Sequence, residues 1–141
     1  MKIGIIGCGT IAHSAHIPSY MANPNAEIKY FCDIIPERAD KAVEKYGCGT
    51  AIYDYHVALN DSEIDAVSVC TPNYAHEEIS TAFLKAGKTV RCEKPAARTY
   101  AEAEVMQKAQ KETTMLNSDI NGGIFDAVKK NAIFKMELDN V

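Results

Sequence analysis

The chain has no tryptophan, no cysteine pair at C-x-x-C spacing, no basic run longer than Lys129-Lys130, and no apolar run near the roughly 20 residues of a membrane span. Each lack removes a class of function. Without a span, and with Met1-Lys2-Ile3-Gly4-Ile5-Ile6 running straight into glycines instead of a secretion signal, a soluble cytoplasmic protein with no membrane partner is expected. Fifteen Lys plus Arg against nineteen Asp plus Glu give a formal charge of −4, so nucleic acid is not an expected partner. The five cysteines, at 8, 32, 48, 70 and 92, form no Cys/His cluster, which argues against a zinc site and a disulfide framework. Four of them fall at or just after apolar runs, where a small buried hydrophobe is sufficient explanation. Repeats, low-complexity stretches and Pro/Ser-rich linkers are also lacking. What remains is one ordinary domain of 141 residues, 47% apolar and 24% charged, large enough to hold a core without staples.

Apolar, β-rich runs alternate with amphipathic stretches. Lys2–Ile6, Glu27–Cys32, 51–53, 65–70, Thr89–Cys92 and 114–117 are expected as strands, several of them apolar on successive positions as in strands buried on both faces. Residues 11–21, Pro36–Tyr46, 76–86 and 100–112 have helical spacing. Pro36 suits a first turn, Gly47 and Gly87 suit left-handed C-terminal caps, and Thr99 with Glu102 makes a capping-box pattern. The alternation predicts an α/β, doubly wound, mostly parallel Rossmann sheet of six strands in the order 3-2-1-4-5-6, with helices on both faces. Near the end, Phe125, Val128, Ala132 and Met136 fit a helical stripe, while Ala132, Phe134, Met136 and Leu138 also alternate as a strand would; helix is favoured.

Three segments carry chemistry. Gly7-Cys8-Gly9-Thr10-Ile11-Ala12 is G-x-G-x-x-A, placed between the first strand and the first helix. The chain turns at Gly7, a pyrophosphate can approach the backbone at Gly9, and a small residue at Ala12 lets helix and strand pack closely. Exposed N–H groups and the helix dipole would hold the phosphates. Asp33 ends the second strand, where a carboxylate accepts hydrogen bonds from the adenosine ribose and favours NAD; the alternative is a helix N-terminal acid before Pro36. Arg38 could pair with a 2′-phosphate, leaving NADP possible, or be a solvated helix residue.

Thr71-Pro72-Asn73-Tyr74-Ala75-His76 follows the fourth strand and Cys92-Glu93-Lys94-Pro95 the fifth, both on the carboxyl edge where open α/β sheets bind ligands. Asn73 and His76 read either as cofactor contacts or as a helix cap and a first-turn residue. Lys94 reads either as a solvated charge or as a group that bonds a substrate hydroxyl, assists its deprotonation or stabilises an alkoxide, with Pro95 restricting its backbone.

Taken together, Gly7 to Ala12, His16-Ile17-Pro18, Asp33 followed by Pro36-Glu37-Arg38-Ala39, Asp65-Ala66-Val67 leading to Thr71-Pro72-Asn73 and His76, and Glu93-Lys94-Pro95 resemble the N-terminal half of the Gfo/Idh/MocA family over roughly residues 1–117. The resemblance implies a domain over 1–120 that binds a nicotinamide dinucleotide and serves hydride transfer to or from a sugar or polyol. By position, Gly7, Gly9, Thr10, Ile11 and Ala12 would line the pyrophosphate, Asp33 and Arg38 the adenosine ribose, and Thr71, Asn73, His76, Glu93 and Lys94 the cofactor, with Lys94 also facing substrate as the catalytic residue. No metal is implied. Family members follow this half with a substrate domain supplying a catalytic His and an Asp, so 121–141 is expected as a helical segment at the junction to a domain not contained here. A free-standing or truncated NAD(P)-binding module without its own activity is the alternative, and self-association through Ile124, Phe125, Phe134 and Met136 is expected. Two departures stand out: Asn121-Gly122-Gly123 lies where the family carries Asn-x-Arg, and Arg91 falls inside an apolar strand, where it needs a carboxylate, solvent or a less buried strand.

Overall fold

The structure, a computed structural model, describes residues 1–120, with side chains described as far as Thr113. The expectations for 121–141 therefore lie outside the described residues. Five strands, β1 (Lys2–Ile6), β2 (Glu27–Cys32), β3 (Thr50–Ile52), β4 (Ala66–Val69) and β5 (Thr89–Cys92), form one parallel sheet in the order β3-β2-β1-β4-β5. Between them run a π-turn (Ala12–His16) continued by α1 (Ile17–Met21), then α2 (Pro36–Tyr46), α3 (His56–Leu59), a 3-10 turn (Asn73–Ala75) with α4 (His76–Lys85), and finally α5 (Tyr100–Ile120). Among the described residues no helix is long and apolar enough to cross a membrane.

The period-2 alternation of each strand divides the core between the two faces. Ile3 and Ile5 of β1 and Ala66 of β4 point to one face, packing with Phe31, Ala12, Ile17 and Ala42 beneath α1 and α2. Ile6, Val67, Val69 and Val90 point to the other, against Ile79, Phe83 and Leu84 of α4 and Ala109 of α5. Phe31 and Phe83, both fully buried, anchor the opposite faces, and burial of a side chain of that kind is worth about 1.5–3 kcal/mol. Helices on both faces of a parallel sheet make the doubly wound arrangement that the sequence predicts.

The sheet differs from expectation at its far edge. Residues 114–117, expected as a sixth strand, belong to α5. No glycine or proline separates them from the helical stretch before them, so nothing in the chain ends the helix at Glu112. Thr113 Oγ1 donates to Ala109 O on its own helix and lies 2.6 Å from Leu84 O of α4, so the helix stays packed on its neighbour as it passes this point. Arg91 is resolved by topology: it sits half-buried on β5, which pairs only with β4 among the described strands.

Local signals fared well where they rest on backbone chemistry. Pro36 occupies the first turn of α2, Gly47 caps it with φ 65°, and Gly87 has φ 74° after α4. The capping box is half formed: the Thr99 hydroxyl accepts the Glu102 N–H at 3.2 Å, while the Glu102 carboxylate turns one residue further back to the Arg98 N–H and guanidinium.

Candidate site at the carboxyl edge

The two ends of the sheet are chemically unlike. At the amino end the charges neutralise one another: Lys29 Nζ lies 2.5 Å from carboxylate oxygens of both Asp61 and Glu63, and Lys2 pairs with Glu63 at 3.2 Å. At the carboxyl end the loops after β1, β2, β4 and β5 converge and tie to one another through main-chain groups, with polar groups left over.

The loop after β1 makes the first tie. Gly7 has φ 95°, and a Cβ there would stand 2.8 Å from the Cys70 carbonyl and the Thr71 nitrogen, so only glycine lets the loops after β1 and β4 meet. Gly9 is different: a Cβ on it would find no atom within 4 Å, so the space above it is open. The first helical bond runs from His13 N–H to Gly9 O. The N–H groups of Thr10, Ile11 and Ala12 therefore precede the ladder, as the opening turn of a helix requires. Thr10 and Ile11 are exposed, and Ala12 is fully buried against the sheet, the close helix–strand approach that a small residue permits.

Asp33 makes the second tie. The residue is 7% exposed, and one carboxylate oxygen accepts the Cys8 N–H at 2.9 Å while the other accepts the Ile35 N–H at 2.9 Å. It thus holds the glycine loop and also organises the entry to α2. Each carboxylate oxygen keeps a further lone pair for a ligand hydroxyl. Beside it opens a cleft of about 770 Å³ lined by Cys8, Gly9, Thr10, His13, Ser14, Arg38 and Lys45. His13, stacked on Tyr46 and bonded to its hydroxyl at 3.0 Å, is pushed below the ordinary histidine range by partial burial and by the charge of Lys45. Sequence reasoning had placed Arg38 here but not Lys45 or His13; the stack shows only once α2 lies beside the first helix.

His76 makes the third tie. It is 1% exposed, and its ring nitrogens lie 2.8 Å from Thr71 O and 3.0 Å from Pro95 O, joining the loop after β4 to the loop after β5. Both nitrogens are thus occupied by main-chain carbonyls. Thr71 presents a buried hydroxyl with no partner in the structure, while Asn73 is exposed at the start of the 3-10 turn. Lys94 is exposed just beyond β5, and the Lys94–Pro95 peptide is cis. Glu93 is half-buried and bonded to His16 at 2.5 Å. Partial burial alone would raise its pKa, but the hydrogen bond from His16, the influence of His16 and Arg91, and the Lys94 N–H outweigh burial and hold the carboxyl below its ordinary value.

The open ground over Gly9, the unsatisfied Thr71 hydroxyl, the leading N–H groups of the first helix and the cleft rimmed by Arg38 and Lys45 fit an extended anionic ligand lying across the sheet edge. The β1–β4 junction is where the order of the strands reverses, the usual ligand crevice of an open α/β sheet.

Known proteins share this fold. Inositol 2-dehydrogenase of Salmonella typhimurium is 37% identical over 113 residues, which cover 78% of this chain and 33% of the relative. Among solved structures, a probable dehydrogenase from Thermotoga maritima superposes with a TM-score of 0.77 at 32% identity, covering 81% of this chain and 34% of that one. The 3-ketoreductase KijD10 from Actinomadura kijaniata, solved in complex with NADP and TDP-benzene, superposes with a TM-score of 0.74 at 31% identity, over 80% of this chain and 34% of that one. The chain thus spans about a third of the length of the curated relatives it matches. The oxidoreductase family characterised by an NAD-binding Rossmann fold matches residues 1–118, nearly the whole of the described structure. On that match, the chain belongs to the Gfo/Idh/MocA family of oxidoreductases and carries its NAD-binding Rossmann fold.

Proposed function

We propose that the carboxyl edge binds NAD(P) and serves hydride transfer to or from a hydroxyl-bearing carbon of a sugar or polyol. The observation that carries this reading is the open space over Gly9, on the same sheet edge as the unsatisfied Thr71 hydroxyl and in the loop that Asp33 holds through the Cys8 N–H. In this reading the N–H groups of Thr10 and Ile11 and the backbone at Gly7 and Gly9 receive the pyrophosphate. Asp33 accepts from the adenosine ribose, and Arg38 and Lys45 face the outer side of that half. Thr71, Asn73 and Glu93 border the nicotinamide half, and His76 holds the two loops that carry them.

The bound dinucleotide supplies the hydride acceptor or donor. Lys94, exposed beside Glu93, bonds the reacting hydroxyl and either takes its proton or stabilises the oxygen as negative charge develops. A sugar or polyol substrate is favoured by the relatives: one is named for inositol, and another for a D-glucoside. Five free cysteines, three of them buried thiols, suit the reducing cytoplasm.

Titration with NADH, followed by the cofactor's own emission, tests the binding step without interference, since the chain has no tryptophan. A saturable change is expected. No saturation with either NADH or NADPH would remove the reading, whereas binding without oxidation of inositol or glucose would favour a binding module over a self-sufficient enzyme.

A further inference from the structure

His16 is 1% exposed and belongs to none of the roles assigned so far. Its Nε2 lies 2.5 Å from Glu93 Oε1 and its Nδ1 lies 2.7 Å from Ser68 Oγ, with Tyr20 Oη a further 3.2 Å from Ser68 Oγ. The donors can be assigned from chemistry. A carboxylate only accepts, so Nε2 carries the proton toward Glu93. With a neutral ring, Nδ1 then accepts from the Ser68 hydroxyl, whose oxygen accepts from Tyr20. The hydrogen bonds run in one direction, from Tyr20 through Ser68 and His16 to Glu93, and both ring nitrogens of His16 have a partner.

The local backbone is built to make this contact. Pro18 has no N–H to give to the helix, and the turn before it is a π-turn, closed by Ile17 N–H bonding to Ala12 O. The wider turn leaves His16 buried between β4 and the end of β5. An apolar side chain would fill the same space with no desolvation cost. What the imidazole adds is a fixed partner for Glu93, whose side chain is 26% exposed and would otherwise sample several rotamers.

We infer that His16 is a positioning residue for the nicotinamide half of the site: locked at both ring nitrogens, it holds the Glu93 carboxylate in one orientation beside Lys94. This rests on the proposed binding of a nicotinamide dinucleotide. Topology confines the effect to one half of the ligand, because Asp33, Arg38 and Lys45 lie on the β2 side of the glycine loop, whereas Glu93 lies beyond β4 on the other side.

That division gives the test. NADH and ADP-ribose share the adenosine, the pyrophosphate and the second ribose, but only NADH has the nicotinamide. Both are titrated by calorimetry against the wild-type chain, His16→Leu, His16→Gln and Ser68→Ala. His16→Leu is expected to weaken NADH about tenfold, the scale of one hydrogen bond to a charged group, and to leave ADP-ribose unchanged. Glutamine can still donate to Glu93 and accept from Ser68, so His16→Gln should recover most of the loss, with Ser68→Ala falling between. Retained ADP-ribose affinity certifies the fold of each variant; if His16→Leu does not fold, the Gln and Ala variants carry the comparison. Equal loss of both ligands, or no loss of NADH, overturns the inference. Failure of the wild-type chain to bind NADH would instead overturn the proposed function, and the positioning role with it.

Discussion

The buried carboxylate of Asp33 accepts the backbone N–H of Cys8 at 2.9 Å, so the end of β2 holds the glycine loop in place. This contact makes Asp33→Ala a poor probe of ribose recognition, since it loosens the loop as well. Asp33→Asn removes the charge and keeps an acceptor for one of the two N–H groups, the Cys8 N–H or the Ile35 N–H, so it disturbs the loop less than alanine does. With the negative charge gone, a 2′-phosphate is repelled less, so the variant should lose NADH affinity and narrow or reverse the preference for NADH over NADPH by about 1–2 kcal/mol. Parallel titrations with the two cofactors measure the ratio; an unchanged ratio would argue against a ribose contact.

The two glycines of the loop should separate folding from binding. At Gly9 a methyl group meets nothing in the protein. Gly9→Ala is therefore expected to melt close to the wild-type temperature, yet bind NADH weakly because the methyl occupies the ground the pyrophosphate needs. At Gly7, φ 95° and a backbone atom 2.8 Å from the added Cβ make the same substitution costly to the fold. A loss of about 2–4 kcal/mol is expected in urea unfolding, from strained φ plus a clash that main chain cannot relieve. If both variants behave alike, the loop is not divided in this way.

These contrasts show which parts of the architecture were legible beforehand. The strands, the helix ends at Pro36 and Gly47, and the positions of Gly7, Asp33 and Lys94 follow from periodicity and turn chemistry, which act over a few residues. The chain His16–Ser68–Glu93 does not. Its members are separated by 52 and 77 positions and meet only because β4 and β5 lie side by side. A histidine on the same helical face as buried Ala12 and beside Ile17 was the available signal, since a polar ring among apolar neighbours needs a partner. The missing sixth strand has the opposite cause: residues 114–117 suit either structure, and the absence of a helix breaker decided the matter.

Histidine 76 ties two loops together, and its loss should be felt in both. His76→Ala removes the ring that spans Thr71 O and Pro95 O, and the carbonyl served by its N–H loses a buried donor, a cost of about 1–3 kcal/mol. Thermal stability should fall accordingly. Hydrogen exchange should quicken together at residues 71–76 and 93–96, and acceleration of one segment alone would show that the ring does not couple them.

The thiols offer a test of the core. Burial, reinforced by neighbouring negative charge, pushes Cys8, Cys32 and Cys70 up to about 12, and Cys92 up to about 11. The reactive thiolate is thus suppressed at neutral pH. In the native state an aromatic disulfide reagent at pH 8 should label Cys48 and, slowly, Cys92, while all five react in denaturant. Prompt labelling of Cys8 would mean that the glycine loop opens readily.

At the amino end of the sheet, stability should depend on acid. Asp61 is held well below its usual value of 3.8 by Lys29 first, then by the Glu63 N–H and the Tyr30 hydroxyl, and Glu63 is held below 4.5 by Lys29 and Lys2. A carboxyl whose folded value is depressed binds its proton more readily in the unfolded chain, so stability rises with pH across that interval. The contribution is complete above the unfolded values near 4 and disappears as pH falls through the folded ones. Lys29→Met takes away the shared partner and lets both folded values return toward the unfolded ones. The variant should be less stable than the wild type at pH 7, by a margin that added salt reduces, and the two should converge as pH approaches 2. Urea unfolding from pH 7 down to 2 measures the gap; a gap that stays constant across the range would assign the effect of Lys29 to packing of its aliphatic stem, not to its charge.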